Sequence, residues 1–167
     1  MKLKLTTYSA DETRALGTVI GRMLQEPVAF LLSGDYGAGK TTFVQGLGIG
    51  LAVTESIRSP SYNILKRYDS GRRPLVHVDL YRTKGQADVD ELAIGELLPQ
   101  NGVLAIEWPV ERGDYNVDVP RVPVRFIVPP EASNDGDEME ERKLEFIVDD
   151  IETPISVIEV LVALADR

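Results

Sequence analysis

Alternation and apolar runs divide this chain into a succession of strands and helices. Lys2 to Thr7 alternates with period two, as a half-exposed strand does. Ser9-Ala10-Asp11-Glu12 has the spacing of a helix capping box, ahead of Leu16, Val19, Ile20, Met23 and Leu24 at helical intervals. Val28 to Ser33 is an apolar run of strand length, which fits a strand buried on both faces, and Thr42 to Leu51 follows it as helix. Tyr62 to Tyr68 and Pro74 to Asp79 are β-rich runs on either side of Asp69-Ser70-Gly71, which predicts a hairpin. Asp88 to Leu98 reads as a helix, and Gly102 precedes a second buried strand, Val103 to Ile106. Beyond Trp108-Pro109, Val122 to Val128 and Lys143 to Val148 read as strands joined by the acidic, flexible segment Glu131 to Glu141. Ile155 to Leu164 makes a closing helix. The succession predicts an α/β fold: a mixed, mostly parallel central sheet flanked by helices, with a C-terminal β-hairpin and helix.

Between the run at 28 to 33 and the helix that follows lies Gly34-Asp35-Tyr36-Gly37-Ala38-Gly39-Lys40-Thr41-Thr42, a complete phosphate-binding loop. Its glycines let the backbone curl so that successive N–H groups point at phosphate oxygens. Lys40 can reach the β- and γ-phosphates, and the Thr41 hydroxyl is placed to ligate Mg²⁺. The helix starting there adds the positive end of its dipole. A strand before the loop and a helix after it are the context that separates a nucleotide site from a glycine turn, so the fold class narrows to a P-loop NTPase.

Composition bounds this reading. At 167 residues and 43% hydrophobic content the chain suits one domain spanning 1–167. It has no cysteine, which excludes disulfides, thiolate zinc sites and cysteine nucleophiles. No apolar signal-peptide core opens it, and Val157 to Ala165 is short and carries Glu159, so a soluble cytoplasmic protein without a membrane partner is expected. The net charge of −9 is local: residues 131 to 152 hold ten acids and two bases. Residues 58 to 84 carry seven bases against Asp69 and Asp79, an asymmetry that either steers a charged partner or merely solvates a hairpin.

Binding a nucleotide is not hydrolysing it; that also requires an acidic residue for Mg²⁺ and a way to orient the attacking water. Asp79 ends Leu75-Val76-His77-Val78, and Glu107 ends Val103-Leu104-Ala105-Ile106. Each carboxylate emerges at the carboxyl end of an apolar strand, the edge where ligands bind in open α/β sheets. Either could hold the metal while the other polarises the nucleophile, and a helix-capping role competes for each. Ser59-Pro60-Ser61-Tyr62 reads as a loop that senses the γ-phosphate or as a rigid turn. His77, the sole histidine, suits a core imidazole, or one that supports a site residue, better than a general base. Trp108, the sole tryptophan, stacks near the site or wedges into the core.

Five blocks together, GDYGAGKTT at 34 to 42, SPSY at 59 to 62, HVDLYR at 77 to 82, DELAIGELL at 90 to 98 and IEWP at 106 to 109, resemble the TsaE (YjeE) ATPases of bacterial tRNA threonylcarbamoyladenosine modification. The resemblance covers roughly residues 9 to 113. It implies a small P-loop ATPase with ATP and Mg²⁺ as cofactors, slow alone, that binds a complex of the TsaD and TsaB proteins. ATP turnover would reset that complex for repeated N6-threonylcarbamoyl transfer to adenosine 37 of tRNAs reading ANN codons; tRNA would be met only indirectly, through the complex. The chain would not itself transfer the carbamoyl group. By the same similarity Tyr36, Gly37, Ala38, Gly39, Lys40, Thr41 and Thr42 form the phosphate cradle, and Thr41 and Glu107 are magnesium ligands. Asp79, with Lys40, serves hydrolysis, and Ser59 with Ser61 forms a nucleotide-responsive loop. The start of the first helix, around Ser9 to Asp11, lies near the adenine. The chain departs from the family at Tyr36, where leucine is usual, and at Ser61, where threonine is commoner.

A P-loop small-molecule kinase is the main alternative, although no clear lid stands between Asp88 and Gly102. No Asn-Lys-x-Asp tetrapeptide supports a guanine-nucleotide switch. An RNA-binding module on the basic segment would bind weakly and salt-sensitively beside the acidic stretch.

Overall fold

Residues 2–128, 142–147 and 153–165 are described in a computed structural model, and the strands predicted from pattern join in a single sheet. In spatial order these are β1 (Lys2–Thr7), β7 (Arg142–Ile147), β6 (Arg121–Ile127), β2 (Val28–Ser33), β5 (Val103–Glu107), β4 (Leu75–Asp79) and β3 (Leu65–Tyr68). The central four, β6, β2, β5 and β4, run parallel to one another, and antiparallel partners flank them on both sides. The mixed sheet and its C-terminal hairpin, β6 with β7, match expectation. The acidic segment 131–141 lies outside the described residues.

Parity of side chains sets the two layers. Val28, Phe30 and Leu32 of β2, Val103 and Ala105 of β5, Leu75 of β4, and Val122, Val124 and Phe126 of β6 face one core. It is covered by α1 (Ala10–Met23), α2 (Lys40–Gly50) and α5 (Ile155–Ala165). Ala29, Val76, Val78, Leu104 and Ile106 face the opposite core with Val89, Ile94 and Tyr115. Both faces are filled, as continuous apolar runs require.

Ser9 caps α1, its Oγ accepting the Glu12 N–H at 3.1 Å. The Glu12 carboxylate accepts from Tyr8 N–H at 2.7 Å, one residue earlier than in the reciprocal box. The last carbonyls of α1 are satisfied by Arg72, whose guanidinium donates to Gly21 O, to Arg22 O at 2.9 Å and to Leu24 O at 3.0 Å. Arg73 donates to Asn101 O at 3.0 Å, and Arg67 pairs with Asp69. Part of the basic 58 to 84 segment is therefore structural rather than available to steer a partner.

α1 and α2 lie side by side in the same direction and touch through glycines. A Cβ on Gly17 would sit 2.4 Å from Phe43 O, and one on Gly46 would sit 2.2 Å from Arg14 O. The two helix backbones are in direct contact there, which ties the position of α2 to α1.

Three local expectations are corrected. The α2 helix begins at Lys40 rather than Thr42, because Gly39 takes the N-cap position. The first hairpin strand begins at Leu65, after a turn that ends at Ile64 with φ of +64°. The single helix expected over 88 to 98 is two, α3 (Gln86–Glu91) and α4 (Ile94–Leu97), broken at Ala93 with φ of +48°. Val89 and Ile94 are both buried in the same core. Five residues along one continuous helix would set them roughly 140° apart, and the break lets both face inward.

Among the described residues, no helix is long and apolar enough to cross a membrane.

Candidate functional site

Parallel register aligns the carboxyl ends of three strands. Leu32 lies opposite Glu107, and Glu107 opposite Asp79, so the last residues of β4 and β5 stand level with the point where β2 enters the glycine loop. Asp79, Glu107 and His77 share the sheet face over which α2 lies, because Leu75 and Val103, each an even number of residues before them on its strand, belong to that core. Apolar packing below thus presents a polar row above.

The loop from Gly34 to Thr42 wraps the start of α2. Gly39 has φ of +102°, a left-handed conformation that suits glycine, and leads directly into the first helical residues Lys40 and Thr41. Gly34, with φ of +138°, passes so close to β6 that a Cβ would sit 2.5 Å from Phe126 O. Ala38 is buried, whereas Gly37 is open to solvent and the Tyr36 ring is 88% exposed. The Tyr36 side chain therefore stands in solvent and does not pack over the loop.

Lys40 is buried and its Nζ donates to Gly34 O and Asp35 O, each at 2.7 Å, while lying 3.9 Å from the centroid of the Trp108 ring. Burial lowers its pKa from the ordinary lysine value, against the opposing pull of Glu107, Asp79 and Asp35. Trp108 takes the left-handed region at φ of +56° and packs 4.9 Å from the Tyr81 ring, so it belongs to the site and is not a core wedge.

The Thr41 hydroxyl donates to Glu107 Oε1 at 2.8 Å, with Oε2 at 3.1 Å. His77 Nε2 lies 2.8 Å from the same Oε1, so the imidazole is fully buried and engaged with a carboxylate, away from any general-base position in solvent. Asp79, 3% exposed, accepts from Ser59 Oγ at 2.7 Å and Ser61 Oγ at 2.5 Å on Oδ2, and from Tyr81 N–H at 3.0 Å on Oδ1. Asp79 and Glu107 are thus both inside the site, and neither caps a neighbouring helix.

The donors fit a hard divalent cation. Thr41 and Glu107 offer adjacent oxygens, and among the described residues no cluster of three or more His, Cys, Asp or Glu could hold a metal by itself. Magnesium is commonly held this way, by one or two protein oxygens with the remaining positions left to phosphate and water.

Lys40, Thr41, Asp79, Glu107, Ser59 and Ser61, all expected from sequence, converge on one edge of the sheet. Thr42 is half-buried in the first turn of α2. Ser9 to Asp11 open α1, whose parallel packing sets that end beside the first turn of α2. Sequence reasoning missed Tyr81, which follows Asp79 by two residues, and the stacking of Arg82 on the exposed Tyr62 ring at 4.6 Å. Both stand in blocks already singled out, but an aromatic in a loop carries no periodic signal to mark it.

A glycine loop between a central parallel strand and a helix, with strand-end carboxylates beside it, defines the P-loop NTPase class. Within that class the chain belongs to the TsaE family: the profile described as threonylcarbamoyl adenosine biosynthesis protein TsaE matches residues 7–133. The tRNA threonylcarbamoyladenosine biosynthesis protein TsaE of a Nostoc species is 43% identical over 118 residues, 67% of this chain and 70% of that protein. The protein of that name from Treponema pallidum is 40% identical over 106 residues, 64% of this chain and 78% of the relative. The one from Bacillus subtilis is 36% identical over 107 residues, 64% of this chain and 66% of the relative. The crystal structure of Bacillus subtilis YdiB superposes with a TM-score of 0.67 at 28% identity, covering 98% of this chain and 95% of that one.

Proposed function

We propose that the protein binds ATP with Mg²⁺ and hydrolyses it as the ATPase accessory subunit of the bacterial tRNA threonylcarbamoyladenosine machinery, resetting a TsaD–TsaB complex between rounds. The observation that carries this reading is the Thr41 hydroxyl against the Glu107 carboxylate at the start of the P-loop helix, with Lys40 and Asp79 on the same edge.

Backbone N–H groups from Tyr36 to Thr42 and the positive end of α2 receive the triphosphate. Lys40 leaves the carbonyls of Gly34 and Asp35 for the β- and γ-phosphate oxygens. Thr41 and Glu107 hold Mg²⁺, which when bound neutralises phosphate charge and so favours attack on the γ-phosphorus. Asp79 orients the attacking water and takes its proton as the water oxygen bonds to phosphorus and the bond to the β–γ bridging oxygen breaks. Ser59 and Ser61 occupy the oxygen of Asp79 that this task requires, so their loop shifts for turnover. That requirement accounts for a slow enzyme whose partners accelerate it. Cytoplasmic location and indirect contact with tRNA follow from the same role.

The test is ATP hydrolysis by the purified protein alone and with TsaD and TsaB. Formation of a complex and faster hydrolysis within it support the proposal. No complex and no stimulation remove it, and phosphoryl transfer to a metabolite acceptor instead of water replaces it with a kinase.

A further inference from the structure

The two oxygens of Glu107 are not equivalent. Oε1 accepts from Thr41 and faces His77 Nε2, both at 2.8 Å, while among the described residues Oε2 has only the longer Thr41 contact at 3.1 Å. An ionised carboxylate only accepts, so the proton of this contact is on Nε2 and His77 donates. The other ring nitrogen, Nδ1, is buried with no hydrogen-bond partner among the described residues. A proton there would be a buried donor with nothing to receive it, which fixes the Nε2–H tautomer.

A carboxyl group only 3% exposed needs hydrogen-bond donors to offset its burial. The Nε2 of His77 supplies one such bond, from a ring that the strand holds in place. His77 is itself fixed: it lies mid-strand in β4, one pleat below Asp79 and beside Ala105 of β5, with no exposed surface.

We infer that His77 is the positioning residue for the divalent cation, holding Glu107 by Oε1 so that Oε2 is the oxygen presented to the metal beside the Thr41 hydroxyl. This rests on the nucleotide-site reading above. Partners of this kind orient metal ligands, and losing one commonly weakens metal affinity about 10- to 100-fold. His77 touches neither substrate nor metal and acts only through Glu107.

The experiment compares wild type, His77→Leu and His77→Gln. ATP affinity is measured by calorimetry in EDTA and across a Mg²⁺ titration, and Mn²⁺ affinity by electron paramagnetic resonance in the presence of ATP. His77→Leu is expected to bind ATP in EDTA within about 2-fold of wild type but to need about 10-fold more Mg²⁺ or Mn²⁺. His77→Gln, whose amide N–H can reach Oε1, is expected to recover most of that loss. A merely structural histidine would predict no rescue and equal losses with and without metal. Should the leucine variant fail to fold, His77→Asn replaces it, since its amide stops near the position of Nδ1 and cannot reach Oε1. Wild-type metal dependence in the donor-less variant overturns the inference alone. Absence of metal-linked ATP binding in the wild type overturns the inference together with the functional reading beneath it.

Discussion

Gly46 and Gly48 lie two residues apart on α2, and replacing each by alanine should have opposite consequences. Either substitution removes backbone entropy from the unfolded chain and raises helix propensity by about 1 kcal/mol. The contacts differ. A Cβ at Gly46 would meet Arg14 O at 2.2 Å and Gly17 Cα at 2.9 Å, both backbone atoms of α1 that cannot rotate away. Restoring ordinary contact requires the helices to part locally by about 1 Å, and because both contacts are backbone the cost falls in the upper part of the overpacking range, about 2–3 kcal/mol. A Cβ at Gly48 would meet Ile57 Cδ1 at 2.0 Å, but that is the far end of a side chain, and its next contact, Ile57 Cγ1, is at 3.4 Å. Displacing one methyl from its rotamer costs about 0.5–1.5 kcal/mol, close to the propensity gain. Gly46→Ala should therefore destabilise by about 1–2 kcal/mol net, lowering Tm by roughly 2–8 °C, while Gly48→Ala stays within about 0.5 kcal/mol of wild type. Urea unfolding and thermal scans of the three proteins measure this, and the propensity gain cancels in the difference between the variants. Equal stability of the two variants, or a stabilised Gly46→Ala, would refute the claim that α1 and α2 meet backbone to backbone.

Lys40→Ala should weaken ATP binding by at least about 10- to 100-fold in calorimetry, since it removes charge-assisted bonds to the phosphates while leaving the fold intact by circular dichroism. Asp79→Asn should leave ATP affinity within about 3-fold and reduce hydrolysis by about 100-fold or more in steady-state assays; normal turnover would strip Asp79 of its role. Replacing both Ser59 and Ser61 by alanine should destabilise by about 1–2 kcal/mol, moderated because Ser59 is exposed to water. The same pair of changes in an Asp79→Ala background should have almost no effect, and a full effect there would mean that the hydroxyls do not act through Asp79.

What could be read in the sequence was local. The glycine loop, the apolar lead-ins to Asp79 and Glu107 and the cap at Ser9 each depend on residues close in the chain, and each stands where expected. The unread features depend on distant partners. That β1 pairs with β7 at the edge of the sheet follows from no pattern in either strand. The glycines of α1 and α2 look like weaknesses in each helix by itself, and only their mutual approach explains them. Arg72 looks like a charged turn residue until its reach to the carbonyl end of α1 is seen. Likewise, His77 in an apolar strand carries no sign of its partner thirty residues away, because the pairing of β4 with β5 alone brings Glu107 to it.

Every group assigned to the chemistry is already engaged by another part of the protein. Lys40 holds two carbonyls of its own loop beneath Trp108, Thr41 holds Glu107, and one oxygen of Asp79 is occupied by two serine hydroxyls. On the proposed reading, nucleotide binding is therefore an exchange of partners and not the filling of an unsatisfied site. The exchange is favourable at Lys40, where a phosphate anion replaces neutral carbonyls and compensates for the burial that lowers the lysine pKa. At Asp79 it is not, because water offers the carboxylate no better hydrogen bond than the hydroxyls of Ser59 and Ser61. Binding and turnover separate at that point: the triphosphate alone can reorganise the glycine loop, whereas releasing Asp79 requires something that favours the shifted 59 to 62 segment. A protein partner that contacts this segment only in its shifted form would supply that preference, and its effect would show in turnover far more than in ATP affinity.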